Sequence, residues 1–241
     1  MTSRWNTDCP VMEINVNILG SDRTGDGLVV IERGHAVSLE SLSAGNRTEV
    51  ERTFAALQER GVQPLFVPDR RAALTRLLEL IPRGARVAHG HSTTLEEIGF
   101  VDYLKGPDSG YRYLNAEWRA EDDTAERRRL RGRLSLESDY FLGSVQAICE
   151  TGQVVAADAT GSRQAFYVYG PPHVIWVAGI NKLVSALDDG LRRLRELALP
   201  LEDQRMKSAG AGGSFIGKQV VYEQERPGRI TLVLVGESLG F

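Results

Sequence analysis

The chain has 241 residues, 42% of them hydrophobic and 25% charged, with a formal net charge of −3. That balance supplies an ordinary core and excludes a mostly disordered chain, while the slight negative charge gives no overall basic field for nucleic acid. No apolar run approaches the roughly 20 residues of a membrane helix, and the N-terminus has Arg4 but no apolar signal core. The expectation is a cytoplasmic protein with no membrane or nucleic-acid partner.

Residues 1–45 read as an extension, with turn signals around two strand-like runs, Ile14 to Leu19 and Leu28 to Glu32, and one hairpin. Such a segment could cover a neighbouring subunit, so a homo-oligomer is allowed. Residues 46–241 form the main domain. Thr48 to Arg60 has helical spacing (Val50, Phe54, Leu57) and stops at Gly61. Val62 to Val67 reads as a buried strand. Pro68-Asp69 opens a helix with Leu74, Leu77, Leu78 and Ile81 on one face, ended by Pro82 and Gly84. Arg86 to His89 is a short strand, Thr94 to Leu104 a helix, Tyr111 to Leu114 a strand and 122–137 a charged helix. Strands follow at Tyr140 to Leu142 and Val154 to Ala156, then a short helix after Ser162, and the strand Val174 to Ala178. A long amphipathic helix is expected over Asn181 to Ala198, with Leu183, Leu187, Leu191 and Leu194 inward. Ser208 to Ser214 is a small-residue loop, and Ile230 to Val235 a last strand. Alternating strands and helices imply a layered α/β domain with a largely parallel sheet flanked by helices.

In such a sheet, ligands bind beyond the carboxyl ends of the strands. Three strand-to-helix junctions carry suitable residues: His89 to Thr94, followed by Leu95-Glu96-Glu97; Asp158 to Arg163; and Gly179 to Lys182. Helix N-termini offer free N–H groups to a carboxylate or phosphate, and Arg163 and Lys182 would add full charges. Converging, they would make a small anion-binding crevice. The plainer reading is that Ser92, Thr94, Ser162 and Asn181 are helix caps, with Thr94 and Glu97 as a capping box.

Other features carry less. His89 and His91 flank Gly90 and could serve as acid and base, but no third metal ligand is evident, so no metal is assigned. His173 follows two prolines and reads as a turn residue. Gly212 to Lys218 spells G-x-x-x-x-G-K, yet Gln219 stands where a phosphate loop needs Ser or Thr, and the next residues look like strand. Glu121 to Arg133 places acids before bases, as the helix dipole favours, and reads as a solvated helix. No nucleophile elbow appears. Cys9 and Cys149 lack CxxC spacing, and Cys149 reads as a buried, inert thiol.

The junctions also carry a resemblance. Ser92-Thr93-Thr94-Leu95-Glu96-Glu97-Ile98-Gly99 resembles the Ser-x-Thr-Leu-x-Glu-Ile-Gly segment of the LUD domain, which defines the lactate-utilisation protein C (LutC/YkgG) family. Ala157 to Arg163 is similar to its Asp-Gly-Thr-Gly-Asn-Arg stretch. Tyr169-Gly170-Pro171 with Val177 to Val184 resembles its Gly-Pro … Val-Ala-Gly-x-Asn-Lys-x-Val block, and Arg229 to Val235 with Leu239-Gly240-Phe241 its ending. The match covers about residues 48–241, one domain-sized stretch. Ser162 stands where Asn is expected, Ala159 where Gly is expected, and His91 at a position often small. The resemblance implies the three-layer fold shared with ribose-phosphate isomerases, glucosamine-phosphate deaminases and coenzyme A transferases (NagB/RpiA/CoA-transferase-like). It also implies a part in oxidising lactate to pyruvate beside iron–sulfur partner subunits. Residues 205–228 hold no cysteine, so no cluster or other cofactor is expected on this chain.

Two functions follow, beside a third, non-catalytic reading as a regulatory or assembly protein with an empty ancestral site. The first is a non-cluster subunit or accessory that binds a small carboxylate or phosphate, or docks on an iron–sulfur partner, through Ser92, Thr94, Gly161, Ser162, Arg163, Gly179, Asn181 and Lys182. The second is a free-standing isomerase, transferase or cycloligase with Glu96 or Glu97 as general base, if burial raises its pKa, and His91 as a further catalytic candidate.

Overall fold

The computed structural model describes residues 30–32, 35–37, 39 and 42–241. Two short strands, β1 (Val30–Glu32) and β2 (His35–Val37), pair antiparallel. The hairpin expected near here therefore closes on His35–Val37. The run Ile14 to Leu19 lies outside the described residues.

The first regular helix, α1 (Ala44–Glu59), is capped by Ser43 and buries Val50, Phe54 and Leu57. It leads into β3 (Gln63–Val67), and Asp69, whose side chain accepts from the Ala72 amide, caps α2 (Arg70–Leu80). Strand β4 (Arg86–His89) follows. The helix expected over Thr94 to Leu104 is two: α3 (Thr93–Glu97) and α4 (Phe100–Lys105). Gly99 breaks them apart at φ 77°, a left-handed conformation natural to glycine. Then come β5 (Arg112–Tyr113), α5 (Leu114–Arg119) and the arginine-rich α6 (Thr124–Leu136). That last helix is not purely solvated: Leu134 is buried, and Arg131 lies over the Trp118 ring at 5.3 Å.

Strand β6 (Tyr140–Gly143) belongs to the main sheet, but β7 (Ala147–Cys149) and β8 (Val154–Asp158) do not. After α7 (Gln164–Val168) comes β9 (His173–Gly179), so His173 starts a strand and stacks on Tyr140. The long helix expected from Asn181 begins only at Leu187. Ile180–Lys182 is a 3-10 turn, and Leu183–Val184 forms β10, paired with β7. Then α8 (Leu187–Arg193), a π-helical stretch (Leu194–Ala198) and α9 (Leu199–Ser208) run on without a break. Strands β11 (Lys218–Tyr222) and β12 (Ile230–Val235) complete the chain.

Six strands form a wholly parallel sheet in the order β3-β12-β9-β6-β4-β5. Its alternating side chains feed two cores. On one face Ile175, Val177, Val233 and Val235 pack with α2, α3 and α4. On the other, Val174, Trp176, Leu232 and Leu234 pack with α1, α6 and the inner face of a second sheet. That sheet, β10-β7-β8-β11, is mixed. Its outer face (Ala147, Val155, Ala157) is covered by Leu194. The protein is thus an α/β structure whose parallel sheet is flanked by helices, with a smaller sheet laid across one side. Among the described residues no helix is long and apolar enough to cross a membrane.

Candidate functional site

The carboxyl ends of β4, β6 and β9 lie on the same edge of the parallel sheet, and the loops leaving them open into a cleft of about 190 Å³. The second sheet brings the end of β8 to the same place. His91, Ser92, Thr94, Asp158, Arg163 and Lys182 all line it, so the three junctions do converge.

Lys182 lies deepest. It is 1% exposed, and its Nζ donates to Ser144 Oγ (2.7 Å) and Thr94 Oγ1 (3.1 Å). Thr94 Oγ1 also lies 3.3 Å from Ser144 Oγ. No carboxylate among the described residues forms an ion pair with this lysine. Burial, with the positive charges of Arg193 and Arg163, pushes its pKa down to about 7, against a weaker pull upward from Glu97.

The Gly179-x-Asn181-Lys182 block has a mechanical explanation. A Cβ on Gly179 would meet the Leu239 amide at 2.5 Å and the Glu237 carbonyl at 2.6 Å, so only glycine lets that segment pass. Asn181 neither caps a helix nor lines the cleft. Its Oδ1 accepts from the Leu239 amide (3.1 Å), and its Nδ2 donates to the Gly240 carbonyl (3.2 Å). Glu97 accepts from the Gly240 amide at 2.7 Å. Together they hold Gly240 over the lysine, so tightly that a Cβ there would meet Lys182 Nζ at 3.3 Å.

The second junction does not offer free amides. The Asp158 carboxylate takes the N–H groups of Gly161, Arg163 (3.0 Å) and Gln164 (3.3 Å). Ser162 is not a cap and, like Gly161, does not line the cleft; the residue preceding α7 is Arg163. Asp158→Ala would leave three amides without their acceptor, and a loss of about 1–3 kcal/mol is expected. Denaturant unfolding measures it; unchanged stability would mean the loop finds other acceptors. The Arg163 guanidinium donates to the His91 carbonyl (3.3 Å) and the Ala157 carbonyl (2.6 Å), stapling the first two junctions together. Gly90 makes room for it, since a Cβ there would lie 2.7 Å from Arg163 Cδ.

At the first junction Ser92 caps α3, accepting from the Leu95 amide, and so the Thr94–Glu97 capping box is not formed. Glu96 and Glu97 are both exposed and neither lines the cleft, so the burial that a general-base role needs is absent. Glu96 faces His91 at 3.6 Å. The pKa of His91 is lowered, chiefly by desolvation and then by Arg205. His89 is buried with both ring nitrogens engaged, Nδ1 with the Gly90 carbonyl (2.7 Å) and Nε2 with Tyr113 Oη (2.8 Å), and burial lowers its pKa to about 4. It is a core histidine. Among the described residues no group of three His, Cys, Asp or Glu side chains could hold a metal. Cys149 is buried, and desolvation raises its pKa to about 11, which keeps it an unreactive thiol.

The G-x-x-x-x-G-K string runs from loop into β11, not from strand into helix, which removes the phosphate-loop geometry. The loop instead contributes Phe215 and Ile216 to the cleft. Three polar residues of the cleft had no place in the sequence expectations: Ser144, Glu202 and Gln146, whose Oε1 accepts from the Ala157 amide at 2.9 Å. Ser144 follows β6, and its only signal was a Gly-Ser pair at a strand end. Glu202 lines the cleft from α9 and is held by both prongs of Arg205, at 2.7 and 2.8 Å.

These features define an α/β domain with a cleft at the carboxyl edge of its parallel sheet. A family model for the LUD domain matches residues 50–235, and the chain belongs to this family, which is associated with lactate utilisation. The structure is similar to the 1.70 Å crystal structure of a DUF162 family protein from Deinococcus radiodurans, at 11% identity and a TM-score of 0.46. The similarity covers 81% of this chain and 99% of that one. No curated protein matches the sequence significantly.

Proposed function

We propose that this protein is a non-cluster component of a lactate-utilisation system that binds a carboxylate in the cleft, with iron–sulfur clusters carried by partner proteins. The observation behind it is Lys182, a buried amine lining the cleft with hydroxyl neighbours and no acid partner among the described residues. Taking a lysine out of water without a counter-charge is costly, and a site tolerates it where a ligand supplies the missing charge. Among the described residues, the side-chain carboxylates that line the cleft are already engaged, Asp158 by backbone amides and Glu202 by Arg205. Lys182 is left to meet the ligand, with the Ser144 and Thr94 hydroxyls beside it.

Lactate and pyruvate titrated into the whole protein in a calorimeter test this. A carboxylate arriving beside Lys182 raises the lysine's pKa, so near pH 7 binding should take up a fraction of a proton. The measured heat should then change with the ionisation enthalpy of the buffer. Lys182→Ala should weaken binding of either acid at least tenfold, about the value of one charge-assisted hydrogen bond. Equal binding by wild type and variant would remove Lys182, and this reading, from consideration.

A further inference from the structure

The cleft has two unlike ends. One is the lysine end, with Lys182, Ser144, Thr94 and Ser92. The other is a largely apolar wall built by Leu194, Ala198, Leu199, Met206, Phe215 and Ile216, interrupted by Glu202, whose carboxylate is taken by Arg205. Three features of that wall are unusual for a closed core. Helix α9 runs for ten residues with none of them buried, although helices in proteins draw most of their stability from a covered apolar face. Phe215 is 63% exposed, an aromatic ring carried on a loop containing Gly210, Gly212, Gly213 and Gly217. The wall also starts on the π-helical stretch Leu194–Ala198, whose two end residues line the cleft, and such distortions are frequent at functional sites.

The cleft measures about 190 Å³, short of the roughly 300–1,000 Å³ that hold ligands of drug size, so it suits a small molecule. Lactate would offer the wall only one methyl group.

We infer that the ligand of this cleft is a monocarboxylate with an apolar chain several carbons longer than lactate's, its carboxylate at Lys182 and its chain along Leu199, Met206 and Phe215. The inference rests on the carboxylate reading above and specifies the substrate class of the same site. The polar end fixes the head group, and the wall contributes affinity in proportion to the apolar surface it covers.

The test is calorimetry on the full chain with lactate, pyruvate, straight-chain monocarboxylates from butyrate to octanoate, and phenyllactate, with octanol as the control lacking a carboxylate. Affinity should rise about fourfold per methylene, until the wall is covered. Long acids should bind with a more negative heat-capacity change than short ones. Phe215→Ser should flatten the rise, whereas Tyr169→Ser, an exposed aromatic outside the cleft, should leave it as it is. Short acids binding as tightly as long ones would overturn the inference and leave the carboxylate reading standing. A rise that persists undiminished in Phe215→Ser would also overturn it. Failure of every acid to bind, or octanol binding as tightly as octanoate, would overturn both.

Discussion

Lys182→Met is expected to make the protein more stable while removing its response to carboxylates. The lysine's pKa in the fold, about 7, lies below its ordinary 10.5. Between those two values the unfolded chain holds more protons than the folded one, so stability rises with pH across that window. Below about pH 7 the whole penalty stands, at roughly 5 kcal/mol by the usual conversion of pKa shift to free energy. Methionine occupies a similar volume without a charge. It gives up two hydrogen bonds, but Thr94 and Ser144 are close enough to bond each other. A net gain of about 2–4 kcal/mol near pH 6 is therefore expected, narrowing by about 2–3 kcal/mol toward pH 9. Urea unfolding of both proteins across this range measures it. A gap that stays constant with pH would show that the lysine keeps an ordinary pKa in the fold. A gain of this kind is the common signature of a group kept for binding at the expense of stability.

Gly143→Ala is expected to be strongly destabilising although it adds a single methyl group. A Cβ at Gly143 would overlap the Tyr167 hydroxyl and approach its Cζ to 2.9 Å. Tyr167 cannot retreat. It is fully buried, edge-on to Phe141 and Trp176, and its hydroxyl donates to the Ser144 carbonyl at 3.1 Å. Overpacking of this sort costs about 1–3 kcal/mol, and a rigid aromatic neighbour puts this case at the upper end. The displacement would fall on Ser144, so carboxylate affinity should drop with stability. Tyr167→Phe alone should lose only about 1 kcal/mol, the net value of one hydrogen bond. Combined with Gly143→Ala it should recover part of the loss, because the overlapping atom is gone. A double variant no better than Gly143→Ala alone would show that the ring, and not its hydroxyl, sets the limit.

The parts of the fold that were legible in the sequence are those governed by local rules. Helix α1 announced itself through Val50, Phe54 and Leu57, helix α2 through its Asp69 cap, and the buried strands β3, β9 and β12 through largely apolar runs. The loops after β4 and β9 could be named as one crevice because a parallel sheet places its strand ends together, whereas the loop after β8 reaches it from the second sheet. Local rules failed where a long-range partner outbid them. Leu183 has helical spacing with Leu187, yet pairing with Ile148 makes it a strand. Asn181 is a good helix cap by type, yet the Leu239 and Gly240 backbone claims both ends of its amide.

The sequence by itself determined the α/β class, the edge on which a ligand could sit, and Lys182 as a candidate for its charge. Only the tertiary structure decided that Asp158 consumes the amides of its loop, that Glu96 and Glu97 stay outside the cleft, that Ser144 joins Lys182, and that a wall from α9 and Phe215 faces them. The reason is one of range. Capping and apolar periodicity act within a few residues and leave a mark in the sequence. Desolvation of one amine and enclosure of a cleft depend on segments far apart in the chain, and no short pattern records their meeting.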